Sequence, residues 1–189
     1  QNALDQDTTR IDVRLNKLPG TRLAEVTVED DDPCGFSDLT HMYTLFAESG
    51  KKADPAKRGR FNLGEKLVLA VCREARIVTT TGGYRFDDTG RHHIRERRQT
   101  GSCFTGRFPL THAEYEECVA AVRTLIIPPK MVVTFNGEPL VSREPLVTLS
   151  ASLPTEVADV EGHLRRVVRT TTLQAYEPLP GEVPSLFEM

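Results

Sequence analysis

Two glycines bracket the stretch of this sequence with the clearest chemical potential. Gly59 and Gly64 enclose Asn62, and an apolar run at residues 67–72 follows directly. Glycine and asparagine adopt positive φ most readily, so the spacing predicts a turn-rich loop that opens a buried helix. Free N–H groups and the helix dipole would converge on one point, which suits a phosphate. For this motif alone, ordinary packing at a helix start is the alternative.

Acidic and basic residues precede the glycine loop. Asp30, Asp31 and Asp32 follow a predicted strand, where a solvated turn is the ordinary interpretation, and their spacing is not that of a calcium site. Residues 48–57 are polar and basic, with glycine and proline among them. We interpret this segment as a loop that could close over a ligand.

Composition narrows the class of protein. The chain has 189 residues, which is enough for one domain, or for one domain and part of another. A hydrophobic content of 39% and a charged content of 27% are ordinary for a globular protein, and we expect a cytoplasmic location without membrane insertion. The net charge of −3 argues against bulk electrostatic binding to nucleic acid. Four cysteines without a C-x-x-C pair predict reduced, mostly buried thiols and no zinc site.

Alternating and helical patterns predict an α+β chain. The predicted strands are 9–15, 23–28, 75–81, 84–86, 91–99 and 102–108, and the predicted helices are 37–46, 67–72 and 111–125. Beyond Pro128 only short strands are predicted, at 131–135, 140–142, 146–149 and 164–176. We therefore predict a domain at 1–127 and a small β-rich module, complete or incomplete, at 128–189.

A basic strand leaves two interpretations open. Arg91, His93, Arg95 and Arg97 fall on one face of the predicted strand 91–99. They could bind nucleic acid, although a charged, solvated sheet edge is the favoured interpretation.

Three motifs in a fixed order resemble those of the GHKL ATPases, the superfamily of gyrase B, the ninety-kilodalton heat-shock chaperones, the histidine-kinase catalytic domain and MutL. They are Asn2-Ala3-x-Asp5, Asp31-x-x-x-Gly35 and Gly59-x-x-Asn62-x-Gly64. The first looks most like the MutL version, and the last looks like the chaperone and gyrase version. The resemblance covers residues 1–127 and implies a two-layer α/β sandwich of the Bergerat type, with a mixed, mostly antiparallel sheet. A transducer-like β-rich segment would follow.

The resemblance also implies a site for ATP and Mg²⁺. Asn2 would hold the metal ion, and Asp5 would face the same pocket one helical turn later. Asp31 would accept the exocyclic amine of adenine, Gly35 would let the backbone approach the base, and Ser102 would support the aspartate. The phosphates would meet a group of backbone N–H donors and cations: Gly59, Arg60, Phe61, Asn62, Leu63, Gly64, Lys51, Lys52 and Lys66.

Departures from the superfamily pattern bear on catalysis. Pro33 replaces the middle glycine of the first glycine box and removes an N–H donor. The general-base Glu of the superfamily would lie upstream of Gln1, so we expect no catalytic residue within this chain. With that Glu, the resemblance implies slow ATP hydrolysis, closure of a lid at 48–60 and dimerisation of the ATPase domains.

Other functions stay open. Without the Glu, the protein would be a nucleotide-binding or protein-interaction module that does not hydrolyse ATP. A chaperone-like ATPase and a histidine kinase are more distant alternatives, and the MutL-like first motif leans toward DNA metabolism.

Overall fold

A large mixed sheet with helices on one face dominates this chain, whose computed structural model describes residues 3, 7–36, 39–43, 64–159 and 163–183. The elements are β1 (Arg10–Lys17), β2 (Leu23–Asp30), a 3-10 helix (Leu39–Met42), α1 (Gly64–Val71), β3 (Glu74–Thr79), β4 (Gly82–Asp87), β5 (Gly90–Ile94), β6 (Cys103–Pro109), α2 (His112–Arg123), β7 (Val132–Phe135), β8 (Glu138–Pro139), β9 (Val147–Ala158) and β10 (Leu164–Ala175). The predicted fold class is confirmed.

Eight strands form the large sheet in the order β5-β4-β3-β6-β2-β1-β7-β8. The β1–β7 pair is parallel, and the other pairs are antiparallel. β9 and β10 pair with each other in a second, two-stranded sheet. The sheet therefore has the mixed, mostly antiparallel character that the sequence predicted.

One face of the large sheet is apolar and covered. Because side chains alternate along a strand, Ile11 and Leu15 of β1 share this face with Ala24 of β2 and Phe135 of β7, and all four are buried. The helix α2 packs on Leu15, Ala24 and Phe135 through four side chains: Tyr115, Cys118, Val119 and Val122. We call this side of the sheet the covered face.

The opposite side, the exposed face, carries charged side chains in ion pairs. Arg107 of β6 lies between Glu25 of β2 and Glu74 of β3, at 2.7 and 3.0 Å. Further pairs on this face are Arg10–Asp12, Arg14–Glu29, Arg76–Glu96, Arg85–Asp87 and Arg98–Glu29. Cations and anions alternate here, so the exposed face presents balanced charge to solvent.

Helix α2 begins as the sequence predicted. Thr111 and Glu114 form a capping box, in which each side chain bonds to the backbone N–H of the other residue. The predicted end at residue 125 was wrong, because the helix ends at Arg123 and Leu125 is 46% exposed.

Helix α1 is confirmed, but its predicted burial was wrong. Leu67, Val68 and Val71 are exposed at 61%, 40% and 62%, whereas Lys66 is only 8% exposed. An apolar run predicts a helix without fixing which side meets the sheet. The chain turns Lys66 inward and leaves apolar side chains outside.

Strands β7 and β8 follow the predicted boundary at Pro128 and still belong to the large sheet. They form a hairpin around Asn136 and Gly137, which both have positive φ, as the Asn-Gly pair predicted. Asn136 also accepts a 2.8 Å hydrogen bond from the backbone N–H of Leu15. The division into two domains stays a prediction.

Several predicted element bounds needed correction. The β3–β4 turn is formed by Thr80 and Thr81, whereas Gly82 and Gly83 belong to β4. β5 ends at Ile94 rather than continuing to residue 99, and β9 extends well beyond Leu149. Within the predicted helix 37–46, residues 39–42 form a 3-10 helix, and residues 37, 38 and 44–46 lie outside the described part.

The cysteines are less buried than predicted. All four are free thiols, with Cys34 exposed and Cys72, Cys103 and Cys118 partly exposed. Burial raises the pKa of the Cys72 thiol and of the Cys103 thiol, so both favour the protonated form.

No helix in the described part of the chain is long and apolar enough to cross a membrane.

Candidate functional site

Polar side chains interrupt the covered face at one end of the sheet. Here β2 ends at Asp30, β3 ends at Thr79, and Ser102 precedes β6. Asp30 follows Val26 and Val28 at two-residue spacing, and it pairs with Ile11 of β1. Strand alternation therefore directs Asp30 to the apolar side of the sheet.

The Asp30 carboxylate has one oxygen occupied and one free. Oδ1 accepts hydrogen bonds from the backbone N–H groups of Ser102, at 3.0 Å, and Asp32, at 3.2 Å. Among the described residues, no group donates to Oδ2. Burial raises the pKa of Asp30 above its ordinary value of 3.8. The two N–H donors act to lower this pKa and the neighbouring carboxylates act to raise it, and the net pKa is raised. A partly buried carboxylate with a free oxygen is an acceptor suited to an N–H donor of a ligand.

Asp31 has a different position and different partners. Its Oδ1 accepts from the backbone N–H groups of Thr9 and Arg10, at 2.8 and 2.9 Å, and its Oδ2 accepts from the Thr9 hydroxyl at 2.5 Å. Burial acts to raise the pKa of Asp31, but these hydrogen bonds outweigh it and leave the pKa below its ordinary value. Both oxygens are engaged in fixing the start of β1. The adenine-reading role assigned to Asp31 stays a prediction.

The loop after β2 folds tightly around Asp32, which is only 5% exposed. Its Oδ1 accepts from the Cys34 N–H at 2.9 Å, and its carbonyl accepts from Gly101 at 2.8 Å and Gly35 at 3.2 Å. Pro33 lies within this turn without disturbing these bonds. The loop is thus fastened to the residues that lead into β6.

Gly35 lies where a side chain could not fit. Its φ is +60°, and a Cβ there would come within 2.2 Å of the Thr79 hydroxyl oxygen. The sequence predicted that Gly35 permits a close approach of the backbone. The neighbour it approaches is Thr79, which carries the hydroxyl nearest to Ser102.

Ser102 contacts Asp30 through its backbone and Thr79 through its side chain. Its hydroxyl lies 3.3 Å from that of Thr79, which is 0% exposed and also accepts a 2.8 Å bond from the Phe36 N–H. Ser102 was expected to support Asp31, whereas the aspartate that accepts its backbone N–H is Asp30. Thr79 was not predicted as part of the site.

Thr8, just before β1, is another buried polar residue at this end of the sheet. Its hydroxyl is buried and has no hydrogen-bond partner in the described part of the chain. An unsatisfied buried hydroxyl costs free energy, so polar groups at this end of the sheet are not there for stability alone.

Arg91, from the basic strand predicted at residues 91–99, contacts two aromatic rings. The Arg91 guanidinium lies 3.6 Å from the ring centre of Tyr43, which follows the 3-10 helix, and 5.6 Å from that of Tyr84. Tyr43 and Tyr84 meet edge to face at 5.2 Å. Arg91 therefore packs against aromatic rings, which holds the 3-10 helix on β4 and β5.

Most of the predicted phosphate and metal residues lie outside the described residues. These are Asn2, Asp5, Lys51, Lys52, Gly59, Arg60, Phe61, Asn62 and Leu63. Gly64 is the first residue of α1, so the helix begins before the predicted start at residue 67, and Lys66 lies buried in its first turn. Their roles toward a ligand stay predictions.

Asp30 was not among the predicted site residues. The spacing to Gly35 drew attention to Asp31. The signal for Asp30 was the alternation Val26, Val28, Asp30, which continues the apolar side of β2 into a carboxylate.

Comparison with known proteins supports the fold. No protein-family model and no curated protein matches the chain. The ATPase region of topoisomerase II from Saccharomyces cerevisiae is similar in structure, with a TM-score of 0.51 and 15% sequence identity over 75% of this chain and 45% of that one. The ATPase and transducer domains of DNA topoisomerase II from Balamuthia mandrillaris give a TM-score of 0.51, 15% identity and coverage of 75% and 44%. The chain thus shares the fold of these ATPase regions, and it spans less than half of their length.

Proposed function

We propose that this protein binds ATP at the end of the sheet formed by Asp30, Thr79 and Ser102, and uses it to switch conformation. The observation that carries the proposal is Oδ2 of Asp30, a carboxylate oxygen on the covered face to which none of the described residues donates a hydrogen bond. The exocyclic amine of adenine is an N–H donor of the kind such an oxygen would accept. The similarity of fold to topoisomerase II ATPase regions supports the same class of ligand.

The finer parts of the proposal come from the resemblance of motifs. They are Mg²⁺ held through Asn2, phosphates held by the loop 59–64, lid closure with dimerisation, and hydrolysis by a Glu upstream of Gln1. We also propose a role in DNA metabolism, which the MutL-like first motif and the similarity of fold to regions of DNA topoisomerase II support. Phosphate release by the full-length protein separates hydrolysis from binding without turnover.

Titration calorimetry with Mg·ATP tests the proposal. We expect wild-type protein to bind ATP and ADP, and Asp30→Asn to weaken binding about 100-fold, since a hydrogen bond to a charged group is lost in a buried position. GTP should bind weakly, because guanine presents a carbonyl oxygen where adenine has its amine.

Asp31→Asn and Asp88→Asn are the control variants for Asp30→Asn, because each makes the same chemical change at another aspartate. Asp88 is exposed on the β4–β5 turn and makes no hydrogen bond among the described residues. Both variants should bind ATP within about threefold of wild type, which is a difference of less than 1 kcal/mol. If Asp31→Asn alone loses binding, the assignment from motif spacing is correct. Absence of heat with either nucleotide would overturn the proposed function.

A further inference from the structure

Three consecutive threonines at the β3–β4 turn hold the loop that follows Asp30. The Thr79 hydroxyl accepts from the Phe36 N–H at 2.8 Å. The Thr80 hydroxyl donates to the Cys34 carbonyl at 2.5 Å, and the Thr81 hydroxyl donates to the Phe36 carbonyl at 2.8 Å. Side chains from one short turn thus bond to the backbone of both Cys34 and Phe36.

This loop depends on side chains for its shape. β2 ends at Asp30, so residues 31–36 have no strand ladder to hold them. Bonds centred on Asp32 fix the first half of the loop, and the threonine hydroxyls fix the second half. Removing a hydroxyl leaves a loop carbonyl without its donor and frees the loop to move.

Thr80 and Thr81 differ from Thr79 in exposure. Thr79 is fully buried under Gly35, so changing it would disturb packing. Thr80 is partly exposed and Thr81 is exposed. Their hydroxyls can therefore be removed with little effect on the folding of the sheet.

We propose that Thr80 and Thr81 are positioning residues that hold the loop 32–36 in its nucleotide-binding conformation. The inference rests on the proposed function. If a ligand binds only when these hydrogen bonds hold the loop, its affinity is proportional to the fraction of molecules in which the loop is held. Each hydroxyl should therefore affect ATP affinity without touching the nucleotide.

Thr80→Val and Thr81→Val remove the hydroxyl at nearly constant shape. We expect each to weaken Mg·ATP binding about fivefold to tenfold, the range expected for one net hydrogen bond. Thr80→Ser and Thr81→Ser keep the hydroxyl and should bind within about twofold of wild type. Thr27→Val is the control, since Thr27 lies within β2 on the exposed face and its hydroxyl makes no hydrogen bond in the described part of the chain.

Hydrogen exchange in the absence of nucleotide gives an independent readout. The amides of residues 34–36 should exchange faster in both Val variants than in wild type, and at the wild-type rate in the Ser and Thr27 variants. Unchanged exchange in the Val variants, or Ser variants that lose as much affinity as Val variants, would overturn the inference alone. A wild-type protein that binds no nucleotide would overturn the proposed function, whereas the exchange result would still decide whether the hydroxyls fasten the loop.

Discussion

The covered and exposed faces of the large sheet stabilise the same strands by different means. The covered face relies on packing of apolar side chains beneath α2, and the exposed face relies on ion pairs such as Arg107 with Glu25 and Glu74. Burial of apolar surface contributes far more than ion pairs in water. A carboxylate on the covered face, as at Asp30, is therefore costly for stability, and this cost supports the site proposed at that end of the sheet.

Among the variants that test the two faces, Phe135→Ala should reduce stability most. Phe135 is 6% exposed and packs with Leu15 and Ala24 under α2, so its truncation leaves a cavity. We expect a loss of about 3–5 kcal/mol in the free energy of unfolding, measured by urea denaturation. The control is Val132→Ala in the same strand, where the side chain is 49% exposed and the loss should be small. Equal losses in the two variants would mean that the covered face is not the core.

Asp31 lies at the border of the two faces, and Asp31→Asn should have an intermediate effect on the free energy of unfolding that depends on pH. The folded-state pKa of Asp31 is lowered, so its contribution is present above the ordinary value of 3.8 and is lost as pH falls through the folded pKa. Allowing for screening by solvent, we expect wild type to exceed the variant by about 1 kcal/mol from neutral pH down to about pH 5. The two stabilities should converge in stronger acid. Denaturation curves at several pH values measure this, and a constant difference down to strong acid would contradict it.

Arg107→Leu should have the smallest effect, because its ion pairs lie in solvent. We expect a loss of about 0.5–1 kcal/mol at low salt that shrinks in about 1 M NaCl. Arg107→Lys keeps the charge and should lose less. A salt-independent loss would show that Arg107 acts through packing of its aliphatic stem instead.

Local patterns predicted much of this fold. The strands predicted at 9–15, 23–28 and 131–135 and the helix start predicted at Thr111 each depend on a few neighbouring residues, and each is confirmed within two residues. The buried side of α1 could not be predicted, because the sequence of this helix does not show whether Lys66 or its apolar neighbours lie toward the sheet. Packing on the sheet determines which of them is buried.

The candidate site combines residues that the motifs singled out with others that carry no motif. Gly35 lies against Thr79, and Ser102 hydrogen-bonds to it, at the end of the sheet. Motif spacing favours Asp31 as the carboxylate toward a ligand, whereas strand alternation and the pairing of β2 with β1 and β6 direct Asp30 to the covered face. The threonines of the β3–β4 turn carry no motif, since their importance lies in contacts with a loop more than 40 residues away in sequence.

The parallel pairing of β1 with β7 has a consequence for biosynthesis. β1 receives its first partner, β2, after a short turn, yet its other edge waits for a strand far downstream: Asp12 and Thr134, which bond across the pair, are 122 residues apart. During translation, Ile11 and Leu15 of the β1–β2 hairpin remain exposed to solvent until that segment leaves the ribosome. Such long-range closure is slow, so the newly made chain has a period of vulnerability to misassociation that the finished protein does not show.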